Sequence, residues 1–253
     1  MTSPRPVVLI TGSANGIGLA TAHKFFAEGF DVVLSDLIED EVRQAARSLD
    51  SKGVRAIGLQ IDVASSSSVN KGVAAAIDHF GRLDVLVNNA GNFRQGSSSN
   101  YSDDDWDFIT SVHLDGAFRC ARAAYPHLKG SSQGAIVSIS SIAARIGLPQ
   151  RLSYSVAKAG IEGLTRVLAV EWAKDGIRVN AVAPGFTKGR NLDDLEKKGL
   201  TTAAKLLDAI PLGRFAETSE QAEVIYFLGT PHSSFITGQV ITVDGGTTID
   251  IRI

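Results

Sequence analysis

Cysteine is almost missing from this chain: Cys120 is the only one in 253 residues. A single thiol excludes an intramolecular disulfide, and its isolation fits a reducing compartment, so a cytoplasmic protein is expected. No Cys/His cluster has zinc spacing, and no metal is expected. Excess charge of either sign is missing too. Twenty-five Lys and Arg face 27 Asp and Glu, a net charge of −2. No basic stripe or aromatic–basic alternation marks a nucleic-acid footprint. Long hydrophobic runs are absent: none approaches the ~18 residues of a membrane span. The first residues, Met1-Thr-Ser-Pro-Arg-Pro6, contain no apolar signal core. The sequon Asn100-Tyr-Ser102 has no meaning in the cytosol.

What is present in quantity is glycine, 25 residues, dispersed along the chain. It punctuates an alternation of short apolar runs and helical patterns. Strands are expected at 7–11, 31–36, 54–61, 84–88, 134–140, 177–183 and 239–243. Helices are expected from Leu19 to Glu28, from about Glu39 to a stop at Gly53, over 66–80, over 103–129, from about 152 to 175, and over 219–229. Gly29, Gly81, Gly130 and Gly176 follow helices as left-handed stops. Strand–helix repetition of this kind implies one α/β domain over 1–253, a doubly wound parallel sheet with helices on both faces. Residues 187–214 break the rhythm. They follow the carboxyl end of a strand, where open α/β sheets bind ligands, and are expected to form a substrate lid.

Between the first strand and first helix lies Gly12-Ser-Ala-Asn15-Gly16-Ile17-Gly18. Glycines there let the backbone approach a pyrophosphate, and the helix start offers it free N–H groups. The spacing is Gly-x-x-x-Gly-x-Gly rather than Gly-x-Gly-x-x-Gly. Asp36 ends the second strand, 18 residues past Gly18. A carboxylate there accepts both hydroxyls of an adenosine ribose and repels a 2′-phosphate. Leu37 follows, and no cation lies within the glycine loop, so NAD is expected in preference to NADP.

Tyr154 and Lys158 are four residues apart, one turn of a helix. A tyrosine with its free pKa near 10 is a poor base at neutral pH, and an ammonium beside it favours the phenolate. Ser141 lies upstream, able to hydrogen-bond the oxygen that gains or loses the proton. The set suits hydride transfer between an alcohol and a ketone: tyrosine as acid/base, lysine as its tuner, serine as polariser.

Jointly, Thr11-Gly-Ser-Ala-Asn-Gly-Ile-Gly18, Asn88-Asn-Ala-Gly91, Ser141, Tyr154-Ser-Val-Ala-Lys158, Pro184-Gly185 and Val243-Asp-Gly-Gly246 resemble the classical short-chain dehydrogenase/reductase family. The resemblance runs from Val7 to about Thr247. It implies seven strands in the order 3-2-1-4-5-6-7, Tyr154 as acid/base, Ser141 as its partner, and Lys158 on the nicotinamide ribose. It further implies Asp62 and Val63 at the adenine, Asn89, Ala90 and Gly91 beside the ribose, and Thr187 near the carboxamide, with Pro184 and Gly185 among the cofactor contacts. Two departures stand out. The fourth helix carries Val112-His113-Leu-Asp-Gly116 where the family usually has Val-Asn-Leu-x-Gly, and Gly189 replaces a frequent threonine. His113 is expected to be a working, neutral substitute that serves a proton relay.

An NAD-dependent alcohol dehydrogenase or carbonyl reductase is therefore expected. The alternatives are a 3-oxoacyl carrier-protein reductase, for which the usual NADPH preference would want a cation near Ser13 or Leu37, and an NAD-binding sensor or scaffold without chemistry. Helices 103–129 and 152–175 carry Ala117, Phe118, Ala121, Ala124, Ile161, Leu164, Leu168 and Trp172. More than one apolar face on each suggests a partner helix, and the resemblance supplies a homotetramer. Arg94, Arg145, Arg151, Lys188 and Arg190 fall in segments expected around the mouth. They are expected to be solvated surface charge, diluted by Asp193, Asp194 and Glu196; an anionic substrate is the alternative reading.

Overall fold

The alternation of buried strands and helices closes into one seven-stranded sheet, all of its pairings parallel, in the order β3-β2-β1-β4-β5-β6-β7. This computed structural model describes residues 5–189 and 202–250. Arg190, Asp193, Asp194 and Glu196 lie outside the described residues, so only the two ends of the 187–214 segment are seen. The strands are β1 (Val7–Thr11), β2 (Asp31–Asp36), β3 (Ala56–Gln60), β4 (Val85–Asn88), β5 (Ala135–Ile139), β6 (Arg178–Pro184) and β7 (Val240–Val243). The helices are α1 (Gly16–Ala27), α2 (Glu39–Leu49), α3 (Ser66–Phe80), α4 (Asp103–Leu128), α5 (Leu152–Trp172), α6 (Ala203–Asp208) and α7 (Thr218–Gly229).

Side chains alternate across a strand, so each central strand feeds two cores. Val7 and Leu9 pack with Val73, Ala121, Leu128 and Leu168 beneath α3, α4 and α5. Val8 and Ile10 pack with Phe25, Val42, Ile225 and Leu228 beneath α1, α2 and α7. The strand order reverses between β1 and β4, and the crevice outside their carboxyl ends is the expected ligand site.

Helix ends follow local chemistry. Ser65 and Ser102 cap α3 and α4 by accepting the backbone N–H of Ser68 and Asp105, and Asp103, Asp104 and Asp105 sit on the positive end of α4. Gly81 and Gly176 supply left-handed stops. The second helix stops at Leu49, short of the expected Gly53, because the Asp50 carboxylate turns the chain by accepting the N–H groups of Lys52, Val54 and Arg55. α5 proper ends at Trp172 and a single 3₁₀ turn carries the chain on to Gly176.

The apolar residues of α4 and α5 divide between core and surface. Ala117, Ala121, Ala124, Ile161 and Leu168 face the core. Phe118, Val156, Val167 and Val170 are among the apolar residues left in solvent, the last 80% exposed.

Candidate active site

The glycine loop joins β1 to α1 and is held against the end of β4. Thr11 Oγ1 accepts the N–H groups of Asn89 and Ala90, each at 3.0 Å. The Asn89 amide returns two bonds, to the Thr11 and Gly12 carbonyls at 2.9 and 2.7 Å. A Cβ on Gly12 would lie 2.6 Å from the Ala90 Cα, and one on Gly18 would lie 2.4 Å from the Gly12 carbonyl oxygen. Any side chain at either position would break the cradle, which is what a site for close backbone approach to phosphates requires. Asp36 reaches across from β2, where its carboxylate accepts the Ala14 N–H at 3.0 Å and the Leu37 N–H at 2.8 Å. The carboxylate thus borders the glycine loop. The Asp62 carboxylate accepts the Ala64 N–H at the end of β3, and Val63 is buried against Gly116 of α4. At the other end of the crevice Pro184 closes β6, Gly185 packs on Asp244, and the Thr187 hydroxyl donates to the Gly185 carbonyl at 3.2 Å.

Ser141, Tyr154 and Lys158 come together as their spacing predicts. Ser141 leaves β5 and its hydroxyl accepts the Ala143 N–H at 3.1 Å. Tyr154 and Lys158 lie on one face of α5, with the ammonium 5.5 Å from the centre of the tyrosine ring. Lys158 is 3% exposed, and its Nζ donates to the Ile139 carbonyl at 2.7 Å. Burial pulls its pKa down to about 7. Burial also raises the Tyr154 phenol, opposed by the hydrogen bond to Ser141 and by the charge of Arg151. The direction differs from the sequence expectation, in which Lys158 lowers it. Desolvation disfavours the charged form of each group, and at Tyr154 it is the largest influence on the phenol.

His113 lies on α4 edge-on to Tyr154, ring centres 5.2 Å apart. The imidazole is 4% exposed. Its Nε2 sits 3.0 Å from the Asn92 carbonyl oxygen and 3.2 Å from the Asn92 N–H nitrogen, so the tautomer decides which bond forms. Gly91 makes room for it: a Cβ there would lie 2.6 Å from the imidazole Cε1. Burial, and then the Lys158 charge, push its pKa down to about 3 against the raising effect of Asn92, so it is neutral at pH 7 as expected. A cavity of about 10 Å³ lies between Thr11, Val63, Asn88, His113, Lys158 and Ile161. Asn88 Oδ1 and His113 Nδ1 are buried with no partner among the described residues, and the volume is about the least that holds one water.

The mouth cations sort themselves. Arg94 pairs with Asp105 and stacks on Phe108. Lys188 pairs with Glu217. Arg145 pairs with Glu162, and donates to Thr242 Oγ1 at 2.7 Å and the Val240 carbonyl. Arg151 stacks on Phe93, its guanidinium 4.0 Å from the ring centre.

A family model described as enoyl-(acyl carrier protein) reductase matches residues 12–248. The (2S)-[(R)-hydroxy(phenyl)methyl]succinyl-CoA dehydrogenase subunit BbsD of Thauera aromatica is 40% identical over 243 residues, 96% of each chain. The chain belongs to the short-chain dehydrogenase/reductase family. The 3-oxoacyl-[acyl-carrier-protein] reductase FabG of Thermotoga maritima is 37% identical over 96% of this chain and 98% of that one. A crystal structure titled ribose-5-phosphate isomerase from Brucella melitensis 16M superposes with a TM-score of 0.91 at 32% identity, covering 97% and 93%. The isomerase activity stays with that protein, since a shared fold does not carry chemistry across.

Short-chain dehydrogenases/reductases are oxidoreductases that use nicotinamide cofactors, and the crowded Gly12–Gly18 cradle with Asp36 at its edge fits such a group. Among the described residues, no helix is long and apolar enough to cross a membrane. Some of the site escaped the sequence. The Ser140 hydroxyl lies 3.2 Å from both the Lys158 carbonyl and Glu162 Oε1. Together with Arg145 this ties the Ser141 turn to α5 and β7. Asn88 stood within the Asn88-Asn-Ala-Gly91 motif, but its place at the cavity, like that of the Asn92 backbone at His113, was unmarked, since nothing in the pattern of a sequence shows which distant groups will meet.

Proposed function

We propose that this protein interconverts a secondary alcohol and a ketone, with NAD as its cofactor. The observation that carries the reading is the convergence of Ser141, Tyr154 and Lys158 at the end of β5, where the Ser141 hydroxyl acts on the Tyr154 phenol and Lys158 lies over its ring. The cofactor would supply the hydride acceptor in its oxidised form, NAD, and the hydride donor in its reduced form, NADH. Tyr154 removes or returns the hydroxyl proton, and the Ser141 hydroxyl hydrogen-bonds the same oxygen. Gly12, Asn15, Gly16, Ile17 and Gly18 would hold the pyrophosphate end, Asp36 and Leu37 the adenosine ribose, Asp62 and Val63 the adenine, and Asn89, Ala90 and Gly91 the inner ribose. Lys158 would take the nicotinamide ribose, with Pro184, Gly185 and Thr187 beyond it. Lys158, with its pKa near 7, passes protons readily at neutral pH. His113 and Asn88 would hold one water in the cavity beside Lys158 as part of that relay, the task of asparagine in relatives. A sensor without chemistry would have no use for this set.

NAD rather than NADP rests on Asp36, whose carboxylate borders the glycine loop, while no cation is adjacent to Ser13 or Leu37 in the sequence. FabG at 37% identity supports the second reading, a 3-oxoacyl carrier-protein reductase. The same Asp36 weighs against it, because that activity usually runs on NADPH. The exposed Phe118, Val167 and Val170 of α4 and α5 support a homotetramer built on these helices, and the solitary Cys120 supports a reducing, cytoplasmic setting. Residues 187–214 would close over substrate. The reading is tested by following NADH formation across a panel of secondary alcohols, polyols and hydroxy acids, with NAD and NADP in parallel. Turnover of at least one alcohol, with NAD preferred, is expected; no turnover anywhere in the panel contradicts it.

A further inference from the structure

Arg151 is the residue before α5 begins and three residues before Tyr154. It is half-buried, and burial lowers its pKa while Tyr154 raises it. Of the four mouth cations described, the other three are paired with carboxylates. Arg151 has no carboxylate and no side-chain hydrogen bond among the described residues; it stacks on the Phe93 ring, 4.0 Å from the guanidinium. Stacking uses the face of the guanidinium and leaves the N–H fork at its edge unbonded. An arginine cannot shed its charge, so a guanidinium withdrawn from water without an anion is costly to keep.

The chain also invests strain in placing it. Gln150, immediately before Arg151, is the sole non-glycine residue with positive φ among those described, at 63°. It is held there by Gln95, whose amide donates to Gln150 Oε1 at 2.7 Å, and by the Gly96 N–H on its carbonyl at 3.3 Å. A residue held in a sparsely populated conformation beside a reactive group marks a place where direction matters more than stability. Nearby, Tyr101 and Ser153 join hydroxyls at 2.8 Å, so the loop after β4 and the start of α5 form one wall. That wall stands at the carboxyl end of the sheet, next to the reacting phenol.

We infer that Arg151 is a specificity-determining residue that binds a carboxylate on the substrate, so that the enzyme acts on hydroxy or keto acids rather than neutral alcohols. The planar fork matches a carboxylate in two parallel hydrogen bonds, and its position three residues before Tyr154, whose phenol feels its charge, puts an acid group held there on the side of the reacting centre. The inference rests on the alcohol–ketone reading of the same site and narrows it to a substrate class.

The experiment is a titration of the NADH-loaded protein, read by NADH fluorescence. The probes are benzoate, cyclohexanecarboxylate and hexanoate, each against its matching carboxamide. The wild type is expected to bind at least one carboxylate tenfold or more tighter than its amide. Arg151→Met, which keeps the aliphatic stem over Phe93, is expected to abolish the difference, and Arg151→Lys to keep part of it. NADH affinity reports folding, and Arg151→Gln replaces Arg151→Met should the latter lose it. Equal binding of acid and amide throughout the wild-type series overturns the inference, as it would if a carboxylate of this chain already neutralised Arg151. Discrimination that survives in Arg151→Met overturns it too. Turnover of uncharged secondary alcohols and of polyols, measured in parallel, judges the enzymatic reading separately. Its failure leaves the binding result for Arg151 intact, and neutral polyols outperforming hydroxy acids counts against Arg151.

Discussion

Replacing His113 by asparagine should change how stability depends on pH, and the size follows from the burial of the imidazole. In the unfolded chain a histidine titrates near 6.5. In the fold, burial and the Lys158 charge hold His113 at about 3. The folded pKa is depressed, so between these values the unfolded chain binds a proton that the folded chain refuses. Stability therefore falls as pH falls through that window. Each pH unit inside it costs about 1.4 kcal/mol, so the drop from pH 6 to pH 4 is ~2.5 kcal/mol from this one group. Lys158, with a pKa of about 7, is charged at both ends of the interval and leaves the comparison clean. Carboxylates elsewhere titrate alike in both proteins. Urea unfolding at pH 6 and pH 4 should show the wild type losing ~2.5 kcal/mol more than His113→Asn. Equal losses would mean that the folded imidazole takes up a proton freely, and the picture of a neutral, desolvated histidine beside Lys158 would be wrong. The same residue has a kinetic signature. His113→Asn should stay within about tenfold of wild-type turnover, because asparagine can still hold a water. His113→Leu leaves Asn92 without its partner, at a cost of about 1–3 kcal/mol, and should lose more, mainly in kcat. Wild-type turnover and an unchanged pH profile in His113→Leu would make the residue structural only.

Other changes probe separate parts of the account. The wild type should prefer NAD over NADP at least tenfold, about 1.4 kcal/mol, and Asp36→Ala should erode that ratio without unfolding the protein; a wild type indifferent to the 2′-phosphate removes the argument from Asp36. Glu162→Gln breaks the pairing with Arg145 on a half-exposed surface, where such pairs contribute up to about 1 kcal/mol. It should lower kcat about two- to fivefold with NADH affinity unchanged, and an unaltered kcat would show that the Ser141 turn needs no such tie. Light scattering at micromolar concentration should give four times the 26.7 kDa chain mass; a monomer refutes the proposed role of Phe118, Val167 and Val170.

Much of the fold was legible because its periods are strong. Val7–Thr11 and Val85–Asn88 read as buried strands from β-branched runs alone, and Ser66–Phe80 ended at Gly81 as its pattern indicates. The stop at Leu49 was missed because it is made by the Asp50 side chain rather than by a glycine. Spacing placed Tyr154 and Lys158 together, but not the direction in which burial moves their pKa values, since desolvation is a property of the assembled core. Apolar faces on α4 and α5 were visible, yet Ala121 and Leu168 look no different in sequence from Phe118 and Val170; only packing divides them between core and solvent. Arg151 was one of five cations without distinction. Its lack of a carboxylate among the described residues emerged only once Asp105, Glu162 and Glu217 were seen holding three of the others.

The central claim is that Tyr154 carries the proton in a hydride transfer assembled with Ser141 and Lys158. Tyr154→Phe deletes one oxygen and keeps the ring that His113 meets edge-on, so the pocket survives. The decisive measurement is turnover of the preferred alcohol by Tyr154→Phe, made beside a fluorescence titration with NADH. The account predicts that most turnover is lost while NADH binds near wild-type affinity. Turnover that persists in Tyr154→Phe with NADH still bound would show that the proton travels by another route.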